Sequence, residues 1–472
     1  MDWQKKCSPE LGYLRCSTPQ HPFKESTSQV KSSKRPSNSP HRFLVTKDGE
    51  GIANHIGSLA LRDLSDRLGL TRAFSEAMAP RRQRESGHDR GHVLRDLVVM
   101  LADGGDCVSD LAALRDQPVF GEVASTSTAW RTVAAMKKKD LKRIREARRQ
   151  ARVRTWKRGG APKEIVLDID ATLVNSHSEK ENATPNFKRG FGFHPVLCYL
   201  EETDEALAGI LRPGNATANA IADNIKVLER ALHQLPESRR KRKILVRGDS
   251  ALATHAFIAK VRELGLEFSV GLDLYESTKA AVLNLKEKDW RPAMTQDGDV
   301  RESAAVAELK DLDLSAWPPG TRAIARRERP HPGAQLKFTD VDGNRIQVFI
   351  TDQAEEDIVK LEARHRARGR AENRIRCAKA TGLESLPFHD FAANQAWLEL
   401  ILAAQDLIAA FQRLCLRGEA REWDPKTLRY RLFHVGARVV RSGRRLILRL
   451  QRTWAWTPIL YDAFRRVRLI DA

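Results

Sequence analysis

The chain has 472 residues, 41% of them hydrophobic, and carries 81 Lys and Arg against 61 Asp and Glu, a formal charge of +20. That length exceeds what one ordinary core fills, so two or three folded units are expected, and the cationic excess points to phosphate-bearing partners. The six cysteines, at 7, 16, 107, 198, 377 and 415, form no Cys-x-x-Cys pair, which argues against a zinc finger and for a reducing compartment.

Residues 1–44, rich in Ser, Pro and Lys and without periodicity, read as a disordered tail. From Ile56 the apolar residues recur at helical spacing: Ile56, Leu59, Leu61, Leu64 and Leu68, then Leu94, Leu97, Met100 and Leu101. Ser125 is placed to cap a further helix, and Lys137–Lys139 lead into a basic helix ending at Lys157 and Arg158. Residues 45–158 are therefore expected to form a helical DNA-binding domain. After Gly159 and Gly160 the pattern changes to strands at 165–170, 193–200 and 207–211. A helix on Ile221, Ile225, Leu228 and Leu232 follows, then a strand at 243–247, a helix over 254–264 and a strand at 268–272. This order predicts an α/β mixed sheet with flanking helices over 159–274.

Residues 275–352 interrupt the rhythm. They hold Trp290, Trp317 and a hairpin, 336–341 with 345–350 about Asp342-Gly343, and read as a β-rich insertion. Helices resume over 353–416, and a basic segment with a strand at 446–450 closes the chain at 417–472. The most apolar stretch, 397–411, contains Glu399 and Asp406 and is too short to span a bilayer. With no apolar leader at the N-terminus either, the expectation is a cytoplasmic protein with no membrane partner.

Three acids stand in settings suited to chemistry. Asp170 closes the first strand, Asp249 follows the strand at 243–247, and Glu372 lies in an arginine-rich helix beside Arg368 and Arg376. Carboxylates at strand ends and on a distant helix can gather hard divalent cations for phosphodiester chemistry. Asp168 and Asp170 share one strand face, so the strand alone leaves both open as the first ligand. His177, His194 and His255 show no ligand-like spacing.

The segment His365-x2-Arg368-x3-Glu372-x6-Lys379 resembles the Tyr-x2-Arg-x3-Glu-x6-Lys signature of DDE-class transposases of bacterial insertion sequences, with His in place of Tyr. Asp170-Ala-Thr172, Lys188-Arg189-Gly-Phe-Gly-Phe-His194 and Arg247-Gly-Asp249-Ser resemble the blocks around the first two acids of that group. The resemblance spans about residues 50–470 and selects Asp170 over Asp168. It implies an RNase H-like core split by the insertion, with Asp170, Asp249 and Glu372 holding two Mg²⁺ ions that Mn²⁺ can replace. It also implies cleavage and strand transfer at terminal inverted repeats and into target DNA, by a homodimer in a paired-end complex. His365, Arg368, Arg376, Lys379, Lys188, Arg189 and His194 would contact DNA, and Trp290 or Trp317 would stack on a flipped base. Two other readings compete. Asp168-x-Asp170-x-Thr172 also fits the opening of haloacid-dehalogenase-type phosphatases, with Asp168 as nucleophile, but the late acid pair of that group is missing. A regulator or an inactivated transposase that binds DNA without cutting it fits the helical N-terminal region and the basic segments, although the presence of all three acids disfavours the inactivated copy.

Overall fold

In the computed structural model the described residues are 44–471, apart from 82–86, 177–178, 218, 241, 296, 331–332, 334–339 and 342. The tail expected over 1–44, His177, and most of the strand expected at 336–341 with Asp342 of its turn lie outside them.

After a short strand β1 (Ile52–Ala53), helices α1 (Ser58–Arg67), α2 (Leu70–Met78), α3 (Arg90–Asp103), α4 (Thr126–Ala134) and α5 (Lys138–Gly159) follow in turn. Local chemistry sets their ends. Asp89 accepts from the amides of Gly91 and His92 at the start of α3, and Gly104, with φ of +113°, ends it. Ser125 caps α4 through the Thr128 amide, and Asp140 accepts from the Lys137 amide at the start of α5.

The strands come next: β2 (Ile165–Ala171), the small β3 (Val174–Asn175), β4 (Thr184–Pro185) and β5 (Phe191–Phe193), then β6 (Val196–Leu200) and β7 (Ala206–Ile210). Helix α6 (Ile221–Gln234) leads to β8 (Ile244–Gly248), and α7 (His255–Glu263) to β9 (Glu267–Leu272). Helix α8 (Glu276–Leu283) precedes β10 (Arg291–Met294), β11 (Val300–Glu308), β12 (Arg322–Glu328), β13 (Asp340–Val341) and β14 (Asn344–Thr351). Helices α9 (Ile358–Arg366), α10 (Arg370–Ala378) and α11 (Phe391–Cys415), a ribbon of β15 (Ala437–Ser442) and β16 (Arg445–Leu450), and α12 (Thr457–Arg468) complete the chain.

One sheet organises the molecule, in the order β10-β11-β12-β14-β9-β8-β2-β6-β7, with β13 on β14. β2 runs parallel to β8, and β8 parallel to β9. The segment expected as a separate insertion continues this sheet, because β14 pairs antiparallel with β9 from Val348↔Leu272 to Thr351↔Ser269. Helices α6 and α7 cover a core formed by Leu167, Ile169, Val246, Phe268 and their neighbours.

The second large core surrounds α11, which is buried along most of its length, its apolar residues joined by the buried acid Glu399 and the partly buried Asp406 on the side facing α5. Leu61, Phe74, Leu97 and Ile144 of the N-terminal helices and Leu432, Leu460 and Val467 near the C-terminus belong to this same core. The boundaries expected near 158 and 416 therefore do not separate cores, and Glu50–Ala472 form one unit. The basic helix α5 also differs from a free DNA-facing rod. Its Arg148 and Arg152 are buried and bonded to Glu399, Asp406 and Glu205 at 2.7–3.2 Å, and Trp156 donates to Glu205. Among the described residues no helix is long and apolar enough to cross a membrane.

Candidate active site

The pairing of β2 with β8 sets the site. Its register, Asp168↔Arg247 and Ile169↔Gly248, brings Asp170 and Asp249 to adjacent strand ends, and neighbouring strands lie about 4.8 Å apart. Asp249 then turns the chain, its carboxylate accepting from the Ala251 amide at 3.1 Å. Gly271 of β9 permits this turn, because a Cβ there would lie 2.9 Å from the Ser250 nitrogen. Glu372 stands exposed in the first turn of α10. Asp249 and Glu372 line one cleft with Arg368, His365 and Arg326, and Arg368 reaches to 3.8 Å from Asp170 Oδ2.

The electrostatics of this cleft suit a cation. Burial pushes the Asp170 carboxyl up to about 6; Asp249 and Glu372 add to the rise, and Arg368 opposes it. A carboxylate crowded by two others and short of positive charge is what a hard, oxygen-seeking ion would relieve. Among the described residues, His55, Asp103 and His434, and Asp106, Cys107 and Asp110, are the groups whose ligand atoms all lie within 4.8 Å of one another. Asp170, Asp249 and Glu372 are not among these groups.

Beneath the acids lies a buried ionic knot that the sequence reading missed. Arg247 grips Asp168 with two bonds of 2.7 and 2.9 Å and reaches Glu201 at 3.0 Å. Arg374 reaches Asp168 at 2.9 Å and donates to the Glu201 carbonyl at 2.8 Å. Asp168 and Arg247 are fully buried. Asp168 is thus held as a buried counter-ion by two arginines, which disfavours a nucleophilic role and with it the phosphatase reading, whereas Asp170 lies free of that pairing. Three members of the knot each stand two residues from one acid: Asp168 from Asp170, Arg247 from Asp249, Arg374 from Glu372. That repeated offset was the available signal.

The other expected residues fall into two groups. Arg368 and His365 face the cleft. The His365 ring lies flat on Phe349, centroids 4.3 Å apart, with Nδ1 2.9 Å from Ser269 Oγ. Burial, then Arg368 and Arg247, push its pKa down to about 3, so the ring is neutral at neutral pH. His194 is buried near the acids and donates through Nδ1 to the Ala216 carbonyl at 2.8 Å. Lys188 and Arg189 are exposed on the turn between β4 and β5. Arg376 bonds to Asn373 and Asp424. Lys379 opens a π-turn in which Gly382 has φ of +94°, so the signature residues span a bent succession of helical segments rather than one straight helix. Trp290 is half-buried with the Arg327 guanidinium 4.5 Å from its ring, and Trp317 packs on His255 at 4.3 Å. Both rings already have partners.

The family profile described as "Transposase DDE domain group 1" matches residues 36–472. No curated protein matches the chain. Among solved structures, the chain is similar to piggyBac transposase in its synaptic complex with hairpin DNA, with a TM-score of 0.44, 10% identity, and 80% of each chain covered.

Proposed function

The chain belongs to the group 1 family of DDE-domain transposases, and from that membership we propose that it cuts and rejoins DNA at the inverted-repeat ends of an insertion sequence, with Asp170, Asp249 and Glu372 as its cation ligands. The observation that carries this reading is the β2–β8 register, which sets Asp170 beside Asp249, while Asp249 and Glu372 line one cleft. The five strands β7-β6-β2-β8-β9, three antiparallel followed by two parallel additions, support reading this part of the mixed sheet as an RNase H-like core.

Two Mg²⁺ ions, or Mn²⁺, held by these carboxylates would activate water or a 3′-hydroxyl and offset charge on the scissile phosphate. Asp170, whose carboxyl is raised by burial and by Asp249 and Glu372, would be one of the residues to hold the cation. Asp249 is pre-oriented by its turn and Glu372 by α10. Arg368, close to Asp170 yet open to the cleft, suits a phosphate oxygen and would orient the backbone for in-line attack. Neutral His365 keeps one ring nitrogen for a hydrogen bond to phosphate without adding charge. Paired ends and target DNA would be held by a homodimer, as the resemblance to insertion-sequence enzymes implies.

The test is nicking of inverted-repeat duplexes with Mg²⁺. Wild type should cut at the element ends, and Asp170→Ala and Glu372→Gln should bind them without cutting. Cutting by either variant at wild-type rate would remove these acids from the mechanism. Binding without cutting by the wild type would instead favour the regulator.

A further inference from the structure

Between Asp424 and Asp462 the chain contains no acidic residue but many arginines. Two of them serve the fold. Arg429 is buried and donates to the carbonyls of Leu101, Ala102 and Ala380, and Arg431 lies over the rings of Trp423 and Trp456. The remaining six, Arg438, Arg441, Arg444, Arg445, Arg449 and Arg452, are all exposed. Among the described residues none of these six makes an ion pair or a side-chain hydrogen bond.

Their placement follows the β15–β16 register. One face of the ribbon presents Val439, Leu448 and Leu450, which pack with Ala53, Ile56 and Phe464. The other face carries Arg438 directly opposite Arg449, with Arg445 opposite Ser442. Like charges directly opposite across a ladder oppose folding. Protection of an edge strand accounts for cations on β16, whose outer edge is unpaired. It does not account for Arg438, because β15 is an inner strand paired with β1 on its other side. An anion shared by Arg438 and Arg449 would relieve the repulsion. Arg445 and Arg449 stand about 13 Å apart along the strand, close to the width of about 12 Å of a major groove, which admits a two-stranded ribbon.

We propose that the outer face of the β15–β16 ribbon is a duplex-DNA contact surface on which Arg438, Arg445 and Arg449 bind backbone phosphates irrespective of sequence. The proposal rests on the reading that the protein acts on DNA and adds a location to it. Arginine suits the role because its planar fork meets phosphate oxygens in pairs.

The test compares wild type with the triple variant Arg438→Gln/Arg445→Gln/Arg449→Gln in binding a random-sequence duplex over a series of salt concentrations. Loss of three phosphate contacts should lower the slope of log K against log salt by about 2.7. The Arg→Lys triple variant should restore most of it. An unchanged slope in the Gln triple variant, while wild type binds and cuts, would overturn the ribbon and leave the catalytic reading standing. Failure of the wild type to bind any duplex would overturn both. Should the triple variant not fold, the three single variants replace it, each expected to lower the slope by about 0.9; no change in any of them overturns the proposal.

Discussion

At the residue scale, Asp170 carries a conflict between stability and chemistry. Its folded pKa of about 6 lies above the value of an unfolded Asp. The folded state therefore holds more protons between roughly pH 4 and 6, and stability falls as pH rises through that window, by about 3 kcal/mol in the absence of cations. Asp170→Asn should accordingly raise the melting temperature at pH 7.5 in chelator and abolish cleavage. Added Mg²⁺ should stabilise wild type more than the variant; equal metal-induced shifts would count against Asp170 as a ligand. Asp168→Asn should behave oppositely, because Arg247 and Arg374 lose their buried counter-charge. A loss of about 3–5 kcal/mol in denaturant unfolding is expected. The acids themselves were legible in the sequence, since each stands at a strand end or in a recognisable spacing. Asp168 was not separable from Asp170 there, because its partners arrive from 79 and 206 positions away, beyond the reach of any local pattern.

At the element scale, the helices and the central strands were legible because apolar spacing and caps are local properties. Ser125 before α4 and the apolar run before Asp249 are instances. The role of α5 was not legible: its arginines read as a solvent or DNA face, and only the acids of α11 and Glu205 show that face to be buried. Nor could the strand pairing of β14 with β9 be read, since alternation gives a strand its faces but not its neighbour. Close approach between β9 and the Asp249 turn gives an element-level prediction. In Gly271→Ala the new methyl meets the Ser250 backbone, so the turn shifts and the acid with it. Cleavage should fall by about 10- to 100-fold, with end binding within a few-fold of wild type. A fully active variant would show that the turn adapts.

At the scale of the whole molecule, the N-terminal helices, α11 and the C-terminal helix share one core, so among the described residues neither the N-terminal helices nor α12 stands apart as a separate folded unit. A fragment of residues 45–158 should lack a cooperative thermal transition, because Leu61, Phe74 and Leu97 lose α11; a sharp transition would restore the separate domain expected from sequence. The ionic knot has a different consequence at this scale. It ties β2, β8 and α10 to one another directly, through contacts that do not pass along the chain between them. Within the long stretch from Asp249 to Glu372, β9 is fixed by its contact with the Asp249 turn, whereas β10, β11 and β12 at the open margin of the sheet can change without touching these ties. An insertion or deletion at that margin is therefore expected to leave the mutual placement of β2, β8 and α10 unchanged.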